Sequence, residues 1–184
     1  MKIVISESQY KRLIEAKEEQ KVLRIPSLKF FNDDWFLLQE FLEKKGNPPY
    51  SLGGDLNLQG TPIESLGNLT SVRGYLNLEG TPIESLGNLT TVGKGFNLMR
   101  TPIESLGNLQ SVGGDLYLRG TPIKSLGNLQ SVDGYLDLYR TPIESLGNLL
   151  SVGGGLDLEG TPLSKMYNEK QIHKMVNVEG DIYL

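Results

Sequence analysis

The chain has 184 residues, 18 basic and 22 acidic, for a formal net charge of -4, and it has no cysteine. The acidic balance argues against a nucleic-acid binder, which normally carries a basic excess. The lack of cysteine excludes a disulfide framework, a thiol nucleophile and a thiolate metal site. The length suits one domain, and no apolar stretch approaches the ~20 residues that span a bilayer.

Residues 1–25 form the first segment. Met1-Lys2-Ile3-Val4-Ile5-Ser6 is too short an apolar run for a Sec signal peptide, which leads to the expectation of a soluble protein. Ser6-Glu7-Ser8-Gln9 has the capping-box pattern, so a short helix is predicted from about Glu7. Its apolar stripe, Tyr10, Leu13 and Ile14, ends early. Residues 26–47 follow as an N-terminal capping unit. A helix is predicted over 30–45, capped by Asn32 or Asp33 and ended by Gly46, with Phe31, Trp35, Leu38 and Leu42 on one face.

Residues 48–163 are a repeat. Thr61-Pro62-Ile63-Glu64-Ser65-Leu66-Gly67-Asn68-Leu69 recurs from Thr81, Thr101, Thr121 and Thr141, and Thr161-Pro162 continues the same twenty-residue step. The apolar positions of one unit are Ile63, Leu66, Leu69, Val72, Leu76 and Leu78. The spacing of two at Leu76 and Leu78 predicts a strand with alternate faces. The spacings of three suit a 3₁₀ or extended, polyproline-like return path. Pro62 has no N–H to give a ladder, so it belongs where the chain leaves the sheet. A lone coil does not bury enough to offset the ordering of twenty residues, so six coils must stack, each strand pairing in parallel with the next.

Residues 164–184 close the chain. Asp181-Ile182-Tyr183-Leu184 aligns with Tyr75-Leu76-Asn77-Leu78 as a seventh strand, and Met175 and Val178 align with Leu69 and Val72. The alignment requires six inserted residues, predicted as a helix over Ser164 to Met175 with Met166, Ile172 and Met175 as its apolar points.

Leu76-Asn77-Leu78-Glu79-Gly80-Thr81-Pro82-Ile83 resembles the core of the leucine-rich repeats, in the short bacterial and phage form. The resemblance covers residues 49–163. It implies an α/β solenoid: a leucine-rich-repeat-type stack of short parallel strands with extended or 3₁₀ return paths, helical caps at both ends, and a binding surface on the outward strand face. It also implies that the row from Thr61 to Thr161 hydrogen-bonds neighbouring coils, as the family's Asn does. Val72 lies four residues before Leu76 where the family has three, so a bulge or wide turn is expected near Gly74. A right-handed β-helix shares the same core faces and stays open, whereas the fivefold spacing of pentapeptide repeats does not fit. Met1–Glu15 resembles the start of uncharacterised tailed-phage proteins, which implies a bacterial host cytoplasm as the setting.

Little here suggests chemistry. His173 is the single histidine, and no Gly-rich phosphate loop precedes a helix. The Gly-Gly-Asp-Leu strings do not recur at the nine-residue step of calcium-binding repeats. No catalytic residue, metal site or cofactor is assigned. Glu64, Glu84, Glu104, Lys124 and Glu144 form a row on the return side, with Lys124 placed to relieve repulsion among carboxylates. The outward strand positions vary where the scaffold does not. Lys94, Met99, Arg100, Tyr117, Arg119, Tyr135, Tyr139 and Arg140 gather in coils three to five, rich in the Tyr and Arg that dominate interface hot spots. These eight residues are the candidate partner-binding site, for a protein partner and with neither nucleic acid nor membrane involved. Head-to-tail self-association through the open terminal strands is an alternative, with Lys2–Ser6 as a candidate added strand, and a carbohydrate binder using the Tyr rows is another.

Overall fold

The structure is a computed structural model that describes residues 22–184. The helix expected from Glu7 and the strand-like Lys2–Ser6 lie outside the described residues. The described chain begins with strand β1 (Leu23–Ile25), a 3₁₀ turn (Leu28–Phe31) and helix α1 (Trp35–Lys44). Strands then come in pairs: β2 (Tyr50–Leu52) and β3 (Leu56–Asn57), β4 (Leu69–Val72) and β5 (Leu76–Asn77), β6 (Thr91–Val92) and β7 (Phe96–Asn97). The pairs continue with β8 (Ser111–Val112) and β9 (Leu116–Tyr117), β10 (Ser131–Val132) and β11 (Leu136–Asp137), and β12 (Ser151–Val152) and β13 (Leu156–Asp157). Helices α2 (Pro162–Met166) and α3 (Glu169–Met175) precede the last pair, β14 (Asn177–Val178) and β15 (Ile182–Tyr183).

The first members of the pairs, with β1, form one eight-stranded parallel sheet, and the second members form a seven-stranded parallel sheet. The chain is therefore a parallel β-solenoid. Successive coils register at the repeat length: Leu52 faces Val72, which faces Val92, and Leu56 faces Leu76, which faces Phe96. The wide turn expected near Gly74 is a corner at which the chain changes sheet. Val72 and Leu76 belong to different sheets, both side chains pointing inward.

Each coil closes on a core of aliphatic side chains. In the second unit Ile83, Leu86, Leu89, Val92, Phe96 and Leu98 are all buried. The return path has no 3₁₀ helix, contrary to one of the two expectations. It runs irregularly to a turn at Gly67-Asn68, where φ of Gly67 is +58° and the Leu69 N–H donates to the Leu66 carbonyl at 3.3 Å. A left-handed residue every coil breaks any 3₁₀ run.

The threonine row does not bridge coils. The Thr61, Thr81, Thr101, Thr121, Thr141 and Thr161 hydroxyls donate to the carbonyl three residues earlier in their own coil, at 2.6–2.8 Å. At this corner the carbonyl three residues back lies within reach and takes the hydroxyl proton. Side chains that do cross include Asn108 and Asn128, donating to the Gly87 and Gly107 carbonyls, and Thr90, donating to the Thr70 carbonyl.

At the N-terminal end, Ile25 faces Leu52 across β1 and β2, so the first segment ends in a sheet strand that the sequence reading did not identify. Helix α1 is capped by Asp34, whose carboxylate accepts from the Phe36 and Leu37 amides. Asn32 and Asp33 are instead left-handed turn residues, φ 54° and 58°, a region Asn and Asp tolerate well. Trp35, Leu38 and Leu42 join the core cluster. Tyr50 faces Leu69 and is buried; its hydroxyl donates to the Leu66 carbonyl and accepts from Gln39 Nε2. Burial drives its pKa well above the ordinary phenol range.

At the other end, Leu156 faces Ile182 and Val152 faces Val178, the repeat step plus six residues. The single helix expected there is two. Thr161 caps α2, and Asn168 with Gln171 forms a capping box that starts α3. Met166 and Met175 are exposed, correcting their assignment as apolar points; Leu163, Ile172 and Val176 are the buried residues.

Candidate functional site

The outward positions of the second sheet carry the candidate residues, and neighbours decide what each one is free to do. The row Asp55, Tyr75, Gly95, Asp115, Tyr135, Gly155 repeats every three coils. Asp55 Oδ1 accepts the Tyr75 amide at 2.8 Å, and Asp115 Oδ1 accepts the Tyr135 amide at 2.8 Å. The rings then lean over the next coil: a Cβ at Gly95 would lie 2.9 Å from the Tyr75 ring, and one at Gly155 would lie 3.1 Å from the Tyr135 ring. The row is an interlock built of Asp, Tyr and Gly. Its three-coil recurrence is visible in the sequence and is the signal that separates Tyr135 from the freer candidates. The Tyr135 hydroxyl donates to Asp157 Oδ2 at 3.2 Å, and burial with that neighbouring carboxylate raises its pKa strongly.

The next row is also committed. Asn57, Asn77, Asn97, Asp137 and Asp157 each accept the amide two residues later, at 2.9–3.2 Å, which turns the chain off the strand. Tyr117 stands in this row without such a side chain. Its hydroxyl donates to Asp115 Oδ2 at 3.0 Å, and burial, that bond and nearby carboxylates raise its pKa.

The corner position after the strand is left-handed in every coil, φ from 53° to 78°. Glycine fills it at 60, 80, 120 and 160, as sterics favour. Arg100 and Arg140 fill it at φ 58° and 53°. A non-glycine residue there stores backbone strain. Three positions thus break the repeat's local rule, Arg100, Tyr117 and Arg140, and they lie on three successive coils.

The eight candidates fall into groups. Arg100 donates to Glu79 Oε1 at 3.1 Å, and Glu79 Oε2 also accepts from Gln59 and Asn97, so coils one to three hold a closed polar network. Met99 is half-buried, its amide held by Asn97. Lys94 sits at the bend before β7, 3.9 Å from Asp55, whereas Met99 follows that strand. Arg119 and Arg140 converge on Tyr139, their guanidinium carbons 4.2 and 4.9 Å from the ring centroid. The structure therefore brings Arg119, Tyr139 and Arg140 together, with Tyr117 on the adjoining strand, and sets Lys94 apart. Asp137 adjoins this group: it faces Tyr117 across the strands and accepts the Tyr139 amide. Burial raises its pKa, helped by Asp157 and opposed by the Tyr139 amide and Arg119.

On the return side Glu64, Glu84, Glu104 and Glu144 are exposed, and Lys124 makes no ion pair among the described residues. The expected relief of repulsion is at most a through-solvent effect. His173 Nε2 lies 3.8 Å from Glu169 on α3, and no group of three potential metal ligands converges among the described residues. No described helix is long and apolar enough to cross a membrane.

No family model matches the chain, and neither the curated proteins nor the solved structures give a match.

Proposed function

We propose that the chain is a protein-binding module that uses the outward face of the second sheet, centred on Tyr117, Arg119, Tyr139 and Arg140. The observation that carries this reading is that positions departing from the repeat's own rule cluster on one face of adjacent coils. Arg100 and Arg140 keep a strained backbone where four other coils have glycine, and Tyr117 gives up a turn hydrogen bond that five other coils make. Costs of this kind persist where a side chain is needed at the surface. On this reading the chain is not an enzyme and needs no cofactor. The finer fold assignment, a leucine-rich-repeat type with α1 and the α2–α3 insert as caps, rests on the sequence resemblance and on the core residues those helices contribute. A phage-encoded protein acting in the bacterial cytoplasm is the source and setting that the N-terminal resemblance favours. Amide hydrogen exchange with the purified partner tests the site. Protection should concentrate on 115–120 and 135–140, and protection confined to the return paths would contradict it.

A second reading, head-to-tail self-assembly, has its own support. The outer edges of β14 and β15 and of β1 and β3 pair with no strand among the described residues. Leu150, Met166, Met175 and Leu184 are exposed in or after the last full coil, and Phe30 and Phe36 before the first. Unguarded parallel edges invite strand addition. Light scattering decides between the readings: a monomer across a wide concentration range contradicts assembly. If an oligomer forms, deleting residues 1–6 should reduce its size where that segment is the added strand.

A further inference from the structure

Arg119 and Arg140 are two cations brought to one ring with no carboxylate in ion-pair range among the described residues. Both centroid distances are under 5 Å, so the two guanidinium carbons are no more than about 9 Å apart. Like charges at that range repel, and Arg140 adds the strain of its left-handed backbone. Its stem crosses the following coil at Gly160, where a Cβ would lie 2.9 Å from Arg140 Cγ, so the arginine is seated in space that glycine leaves open. Arg100 differs: its charge is already met by Glu79.

Two guanidinium groups held over one aromatic ring, with no ion pair among the described residues, are a receptor for a planar anion, since Arg binds carboxylate oxygens in a fork. Resting on the binding face proposed above, we infer that Arg119 and Arg140 take a carboxylate side chain from an acidic peptide segment of the partner, with Tyr139 and Tyr117 as the surface it lies against. The surroundings favour an acidic peptide over a nucleic acid. Glu79 lies on one flank, Glu159 on the other, and Asp137 and Asp157 alongside, so the cationic window is only about three strands, ~14 Å, wide. A nucleic-acid strand with a phosphate every few ångströms would set its next charges against carboxylates, whereas a peptide presents one or two carboxylates and neutral neighbours.

The test is an NMR titration of the full chain, following the arginine Nε–H and tyrosine ring signals. The probes are acetyl-Glu-Tyr-Glu-amide, acetyl-Gln-Tyr-Gln-amide and inorganic phosphate. The glutamate peptide should shift Arg119, Arg140 and Tyr139 saturably. The glutamine peptide and phosphate should bind at least about tenfold more weakly, as loss of a charged hydrogen-bonded pair implies. Arg119→Gln and Arg140→Gly should each lose about tenfold, and Glu64→Ala, on the exposed return side, should change little. Arg140→Gly restores the residue the fold favours at that corner, so a folding defect does not confuse the result. Equal binding of the two peptides at Tyr117 and Tyr139 would overturn the anionic partner and leave the binding face standing. Phosphate binding as tight as the glutamate peptide, or no shift on this face from any probe, would also overturn the inference.

Discussion

Single residues in this solenoid are legible only against their equivalents in other coils. The corner after each second-sheet strand is left-handed whatever residue occupies it, so arginine there is a departure with a measurable cost. Arg140→Gly should raise stability by about 1 kcal/mol, the ordinary scale of relief at a left-handed site, read as a higher melting temperature. An unchanged or lower value would show that the arginine's contacts outweigh the strain. Asp137 gives a pH-dependent case. Its folded pKa is raised by burial and by Asp157, so the folded chain binds that proton more tightly than the unfolded chain. The cost of the carboxylate is full above the raised value, declines as pH falls through it, and is gone below the ordinary Asp range. Asp137→Asn keeps the acceptor for the Tyr139 amide. It should stabilise the protein at neutral pH by up to about 1 kcal/mol, the repulsion of two carboxylates ~5 Å apart in water. The gain should vanish in acid, which paired thermal melts at the two pH values check.

Elements were readable where periodicity dictates them and obscure where a local hydrogen bond does. The twenty-residue step, the inward positions and the terminal strand at Ile182–Tyr183 follow from apolar spacing alone. The division of each coil between two sheets was visible only as an odd gap of four residues before Leu76. Strand β1 was missed because three residues, Leu23–Ile25, carry no periodicity and gain their pairing from Tyr50–Leu52. Apolar spacing predicts one helix across the C-terminal insert because nothing in it reveals the Asn168–Gln171 capping box that restarts the chain as a second. The candidate site was legible as a set of outward residues. Its sorting into an interlock, a closed network and a free cationic group depends on which carboxylates and amides lie one coil away. Helix α1 supplies the element-scale test. Trp35 is buried with Leu38 and Leu42 in the core cluster, so Trp35→Ala should cost about 3–5 kcal/mol. A melting shift within error would mean that the first coil does not need the helix.

At the scale of the whole molecule, the stack divides its labour between constancy and variation. The inward face repeats with little change, because each coil must register on the next at every position. The outward face of the second sheet is where the sequence departs from that pattern, most strongly in coils three to five. The same logic separates the two faces of the rod. Glu64→Ala and Glu84→Ala, on the exposed return side, should leave partner affinity unchanged, because rim and off-site residues contribute little to binding. The most direct test of the binding face compares the dissociation constant of a partner for the native chain with that for the Tyr117→Ala, Arg119→Ala, Tyr139→Ala triple variant. Circular dichroism serves to show that the solenoid is intact. The account predicts a loss of at least about thirtyfold, as removal of a central anchor worth 2 kcal/mol or more implies. Native affinity in the folded triple variant would contradict it.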